Sequence, residues 1–127
     1  MAGYQGSCHC RAVRFEVEAE IDHVRECDCS ICTRRGALNF RVPRDALRIL
    51  TPVSEMTIYR WGSMTGEDHF CRTCGIMTFR RPSALTASER AAGISEFDGW
   101  AINVRCLEGV DIASLPRISV EGRKLQI

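Results

Sequence analysis

No basic stretch followed by an apolar run opens this chain, and none of its 127 residues belongs to an unbroken apolar segment of membrane-spanning length. The expectations are a cytoplasmic location and no membrane partner. A surplus of either charge is missing too. The formal net charge is +1, so the overall balance points neither to nucleic acid nor to an anionic surface. There is no clustered basic stripe with interleaved aromatic residues, and nucleic acid is therefore not an expected partner. Internal repeats, linkers and low-complexity tracts are also lacking, which leaves a single domain over residues 1–127, long enough to bury an apolar core. Apolar residues make up 45% and charged residues 26%, a balance that folds.

The residue in excess is cysteine: Cys8, Cys10, Cys27, Cys29, Cys32, Cys71, Cys74 and Cys106. A disulfide framework would need an oxidising compartment, for which the opening residues carry no signal. Metal fits better, because seven of the eight fall into three tight groups whose thiolates can converge on an ion.

The remaining pattern reads β. Val13, Phe15, Val17 and Ala19 alternate with Arg14, Glu16 and Glu18, the period of a half-buried strand. Leu38, Phe40 and Val42 alternate with Asn39 and Arg41 until Pro43 ends the pattern. Weaker extended stretches cover 47–50, 56–61 and 76–79, with Phe70 beside the third cysteine group. Between Pro82 and Gly99 the pattern lapses into a loop with one helical turn, placed to shape a pocket mouth. Trp100, Ile102, Val104 and Cys106 share one face of a strand, opposite Ala101, Asn103 and Arg105. Asp111 caps a short helix through Leu115. Ile118 and Val120, with Leu125 and Ile127, flank Glu121–Lys124 as a closing hairpin.

On an extended C-x-C both sulfurs lie on one side, so Cys8 and Cys10 can share an ion while His9 points away. Cys71-Arg72-Thr73-Cys74-Gly75 has knuckle spacing, with Gly75 free to take unusual backbone angles. Two pairs make a closed four-sulfur structural site. Cys27, Cys29 and Cys32 form a local tripod with a fourth position open for chemistry, the arrangement of catalytic zinc. The alternative is that Cys106 fills that position; against it, Cys106 falls in phase with apolar residues and packs as a small hydrophobe. Three thiolates blunt the Lewis acidity of an ion, so a soft fourth ligand, a thiol, suits the site. Asp28 points away and adds only to solvation of its loop.

Gly6-Ser7-Cys8-His9-Cys10, Cys27-Asp28-Cys29-Ser30-Ile31-Cys32 with Arg34 and Arg35, Phe70-Cys71-Arg72-Thr73-Cys74-Gly75 and Asn103-Val104-Arg105-Cys106-Leu107 resemble the glutathione-dependent formaldehyde-activating enzyme family. That family includes centromere protein V. The resemblance implies a mainly β, tent-like, zinc-stapled fold with two zinc ions per chain, a structural one on Cys8, Cys10, Cys71 and Cys74 and a reactive one on Cys27, Cys29 and Cys32. It also implies a carbon–sulfur lyase that condenses formaldehyde with glutathione to S-hydroxymethylglutathione. A small thiol such as glutathione and an aldehyde are thus the expected partners.

Arg34 and Arg35 follow the tripod directly and are candidates to pair with substrate carboxylates, or else form a solvated basic pair. Asn103 and Arg105 are candidates to line the same pocket, or are ordinary surface residues. His23 and His69 are candidate proton carriers by residue type but receive no role. The alternative to an enzyme is a non-catalytic zinc module that binds a protein partner, since fold does not fix function.

Overall fold

The computed structural model describes residues 2–124. Among them are ten strands, two short helices and four single turns of 3-10 helix. Three strands, β1 (Ala2–Ser7), β2 (Arg14–Ala19) and β5 (Leu47–Ile49), form an antiparallel sheet in the order β1-β2-β5. Seven form the larger sheet: β3 (Val24–Cys27), β4 (Asn39–Pro43), β6 (Met56–Tyr59), β7 (Glu67–Cys71), β8 (Met77–Arg81), β9 (Gly99–Asn103) and β10 (Arg117–Val120). Their order is β10-β3-β4-β9-β8-β7-β6, and only β10 with β3 runs parallel. The fold is mainly β, as expected.

The alternations in the sequence decide what each face does. Phe15 and Val17 of β2 meet Phe79, Ile102 and Val42 of the large sheet in one buried core. Phe15 stands edge-on to Phe79 at 5.3 Å, and Phe79 to Trp100 at 5.4 Å, the geometry favoured by ring quadrupoles. His69 joins this cluster, 5.2 Å from Phe79, and burial lowers its pKa.

The opposite face of the large sheet is polar. Asp68, Arg80, Ala101 and Arg41 stand in register across β7, β8, β9 and β4, and Asn39 and Arg25 continue the face onto β3. This face is covered from one side by α1 (Ser30–Arg35) and from the other by the segment after β8, which carries α2 (Ala87–Ala91). Thr86 and Glu89 close a capping box on α2, which fixes an otherwise irregular stretch.

Three local expectations are corrected. The C-x-C is not extended: residues 8–13 form a turn in which Arg11 N–H donates to Cys8 O and Arg11 takes φ 67°. The strand after Gly99 ends at Asn103, whose side chain accepts from Arg105 N–H and starts a 3-10 turn over Val104–Cys106, so Cys106 leaves strand phase. Asp111 makes no side-chain cap, and only its carbonyl accepts from Ser114. The closing hairpin keeps its first strand, β10, while Leu125 and Ile127 lie outside the described residues.

Candidate functional site

All eight cysteines are free, and seven gather into two clusters. Cys8 and Cys10 come from the β1–β2 turn, Cys71 from the end of β7 and Cys74 from the turn into β8. Their four sulfurs lie within 4.8 Å of one another. Cys10 Sγ is 3.7 Å from Cys8 Sγ and 3.6 Å from Cys71 Sγ. The backbone is wrapped to favour negative sulfur: Val13 N–H donates to Cys8 Sγ at 3.3 Å, and Thr73 and Cys74 N–H donate to Cys71 Sγ at 3.3 and 3.4 Å. The Cys74 N–H above all pulls the Cys71 thiol down to about 6. At Cys10 the Ala12 N–H works in the same direction, but the neighbouring Cys71, Cys8 and Cys74 sulfurs prevail and push it up to about 11. Gly75 takes φ 79°, closing the knuckle by a bond from its N–H to Cys71 O, an angle that costs glycine little.

The second cluster is local, as the spacing predicts. Cys27 ends β3, Cys29 occupies the N-cap position of α1 and Cys32 lies in its first turn, with all three sulfurs within 4.8 Å. A hydrogen bond from Cys32 holds the Cys27 thiol down to about 5, while the same bond raises Cys32. Cys106 joins neither cluster among the described residues. Its sulfur lies 3.7 Å from Met77 O, and burial, then the charges of Cys8 and Cys74, push it up to about 12. Its neighbours thus belong to the first cluster, not to the tripod.

Two residues at this site were not legible in sequence. Gly122 packs against the tripod so tightly that an added Cβ would collide with Cys27 Sγ and sit 2.8 Å from Cys29 Cβ. Next to it, Arg123 N–H donates to Asp28 Oδ1 at 3.0 Å, and Arg123 Nε donates to Asp28 O at 2.8 Å. Asp28 therefore latches the turn after β10 over the cysteines instead of merely solvating its loop. The only signal was a glycine flanked by charge after a strand.

Cys27, Cys29 and Cys32 border a cavity of about 100 Å³ on the polar face of the large sheet. Arg25, Arg41 and Arg80 line it, and Leu85, Ile94 and Phe97 line it from the segment after β8, the expected pocket mouth. Arg34 and Arg35 are placed differently. Arg34 is exposed and donates to Ser30 O at 3.1 Å; Arg35 donates to Asp68 Oδ2 at 2.9 Å. Asp68 is fully buried and also accepts from Arg80 Nε at 2.6 Å and Trp61 Nε1 at 2.9 Å. Burial opposes its ionisation, but Arg80 foremost, with Trp61 and Arg35, holds the carboxyl below the usual range. Asn103 is buried and donates to Met77 O, and Arg105 donates to Gly36 O. His9 is exposed, and His23 tilts against Phe40. Among the described residues no helix is long and apolar enough to cross a membrane.

Comparison with known proteins bears on this geometry. A Halomonas elongata protein named for glutathione-dependent formaldehyde activation is 34% identical over 80 residues, 55% of this chain and 50% of that protein. The chain thus spans about half the length of that curated relative. The crystal structure of a Rhodobacter sphaeroides protein superposes with a TM-score of 0.71 at 35% identity, covering 90% of this chain and 99% of the other. The family model described as glutathione-dependent formaldehyde-activating enzyme matches residues 3–96, a span that takes in both cysteine clusters. This chain belongs to the glutathione-dependent formaldehyde-activating enzyme family.

Proposed function

We propose that the chain is a zinc-dependent carbon–sulfur lyase that forms or cleaves the S-hydroxymethyl adduct of a small thiol such as glutathione. The observation that carries this is the tripod of Cys27, Cys29 and Cys32, which meets no fourth protein sulfur among the described residues and borders a pocket. Both donor sets fit zinc. Tetrahedral zinc with bonds of about 2.3 Å to sulfur spaces its ligands about 3.8 Å apart, close to the 3.7 and 3.6 Å of the first cluster. Cys8, Cys10, Cys71 and Cys74 would hold a structural ion, and Cys27, Cys29 and Cys32 a second. Free thiols at all eight positions suit a reducing, cytoplasmic setting.

Zinc bound at the tripod would supply a soft, exchangeable fourth position that favours a substrate sulfur as thiolate. The residues of the chain do the rest. The arginines of the pocket attract an anionic substrate, and Leu85, Ile94 and Phe97 keep water from the reacting carbon. In the forming direction a bond joins the thiol sulfur to the aldehyde carbon, the carbonyl π bond breaks and the thiol proton ends on the oxygen. Holding the two reactants together is the main contribution. Arg34 and Arg35, proposed from the sequence as carboxylate partners, would act from the flank of the site.

The test combines metal analysis, zinc X-ray absorption and exchange NMR of formaldehyde with added thiol. Two zinc ions per chain, a rise in sulfur count at one of them when thiol is added, and faster adduct exchange are expected. If thiols leave both coordination spheres unchanged, the chain is instead a non-catalytic zinc module.

A further inference from the structure

Two of the three arginines of the pocket, Arg25 and Arg41, lack the ion-paired anion that Arg80 finds in Asp68. Arg25, Arg41 and Arg80 line the cavity together with one carboxylate, that of Glu89. Glu89 is turned toward its own helix, where Oε1 accepts from Thr86 N–H at 2.9 Å. Asp68, beside Arg80 in the sheet, is already shared among Arg80, Arg35 and Trp61.

No side-chain hydrogen bond or ion pair among the described residues engages the guanidinium of Arg25 or Arg41. The Arg41 guanidinium instead lies 4.9 Å from the centre of the Phe97 ring. Arg80 Nη2 and Asn39 Oδ1 are buried without a partner. Burial first, and then the charges of Arg25 and Arg80, lower Arg41 to about 10, with the Glu89 carboxylate opposing them only in part, so it is still a cation at neutral pH. Grouped, half-buried guanidinium groups are costly unless an anion completes them.

Register gives the distance over which that anion would act. Arg25 stands two residues before Cys27 on β3, about 7 Å along the strand, and faces Asn39, two residues before Arg41 on β4. A cavity of about 100 Å³ is well below the roughly 300–1,000 Å³ of pockets that enclose larger ligands.

We infer that the pocket selects a compact thiol carboxylate, with its sulfur toward Cys27, Cys29 and Cys32 and its carboxylate held by Arg25 and Arg41. The sulfur end rests on the proposed function; the carboxylate end rests on the arginines alone. A tripeptide thiol has to leave most of its length outside this cavity, whereas a two- or three-carbon mercapto acid fits within it. Guanidinium is suited to the carboxylate because its planar fork matches two oxygens.

Calorimetric titration of the purified metal-bound protein with mercaptoacetate, mercaptoethanol, acetate and glutathione tests this, with zinc X-ray absorption in parallel. Mercaptoacetate should bind about tenfold or more tighter than mercaptoethanol, the usual size of a charge-assisted contact, and no more weakly than glutathione. Arg41→Gln should bring mercaptoacetate down to the level of mercaptoethanol with no fall in Tm, because it removes like-charge repulsion. Arg25→Gln should act in the same direction and serves if the first variant does not fold. Equal binding of the charged and neutral thiols, or tighter binding of glutathione, overturns the inference while leaving the proposed function standing. Arg41-dependent binding of acetate, with no thiol changing the zinc sulfur count, overturns the proposed function and leaves the carboxylate site in place.

Discussion

At the scale of single residues, Asp68 is the side chain on which most of the polar face depends. It is wholly buried and compensated by Arg80, Arg35 and Trp61. Removing one member of such a group leaves uncompensated charge, so Asp68→Asn should cost about 3–5 kcal/mol in denaturant melts. The pH dependence follows from the depressed carboxyl. Its stabilisation is full above the unfolded-state value of about 4 and is lost as pH falls from there through the lower folded-state value. Asp68→Asn should therefore flatten the acid limb of the stability curve, and an unchanged limb would count against the assignment. Gly122 makes a second case. A methyl group there meets Cys27 and Cys29, so Gly122→Ala should cost about 1–3 kcal/mol and reduce bound metal by one ion, leaving the four-sulfur cluster loaded.

At the scale of elements, the two clusters are built by opposite means. The first joins the β1–β2 turn to the β7–β8 turn and so ties the small sheet to the large one. The second gathers the end of one strand and the first turn of one helix. A metal that joins distant turns contributes directly to folding. Cys71→Ser should thus broaden or abolish the thermal transition, whereas Cys29→Ser should lower Tm less and abolish adduct exchange. The reverse ranking in calorimetry would mean that the roles are exchanged. Both ligand groupings were legible from spacing alone, because thiolates within a few residues have few ways to diverge. The turn at Cys8–Cys10 was not, since a C-x-C converges either on a strand or on a tight bend, and the Cys8–Val13 and Arg11–Cys8 backbone hydrogen bonds select the bend.

At the scale of the whole molecule, what could be read locally and what could not separate along the two faces of the large sheet. The core face was legible: Val42, Phe79 and Ile102 are apolar in strand phase and are buried as that phase requires. The other face carries Arg25, Asn39, Arg41, Asp68 and Arg80, and a polar phase opposite a core ordinarily faces water. Here α1 and the segment holding Leu85, Ile94 and Phe97 cover it. Strand order brings those arginines together by setting β4 beside β9, which are far apart in the chain, and no local pattern encodes that order. Arg34 and Arg35 drew attention because they adjoin the cysteines in sequence; Arg25 and Arg41 adjoin the pocket in space.

The latch from Arg123 to Asp28 also sets an order of events during synthesis. All four sulfurs of the first cluster have been made once residue 74 is added, and that ion can be captured while the chain is still growing. The tripod sulfurs are made earlier still, by residue 32, yet the turn that closes over them, with Gly122 against Cys27 and Arg123 on Asp28, is not made until about ninety residues later, several seconds at ordinary translation rates. Between residues 74 and 122 the tripod thiols are uncovered on a nascent chain that already holds all four ligands of the other cluster. The site proposed for thiol chemistry is thus the last part of the molecule to be sheltered.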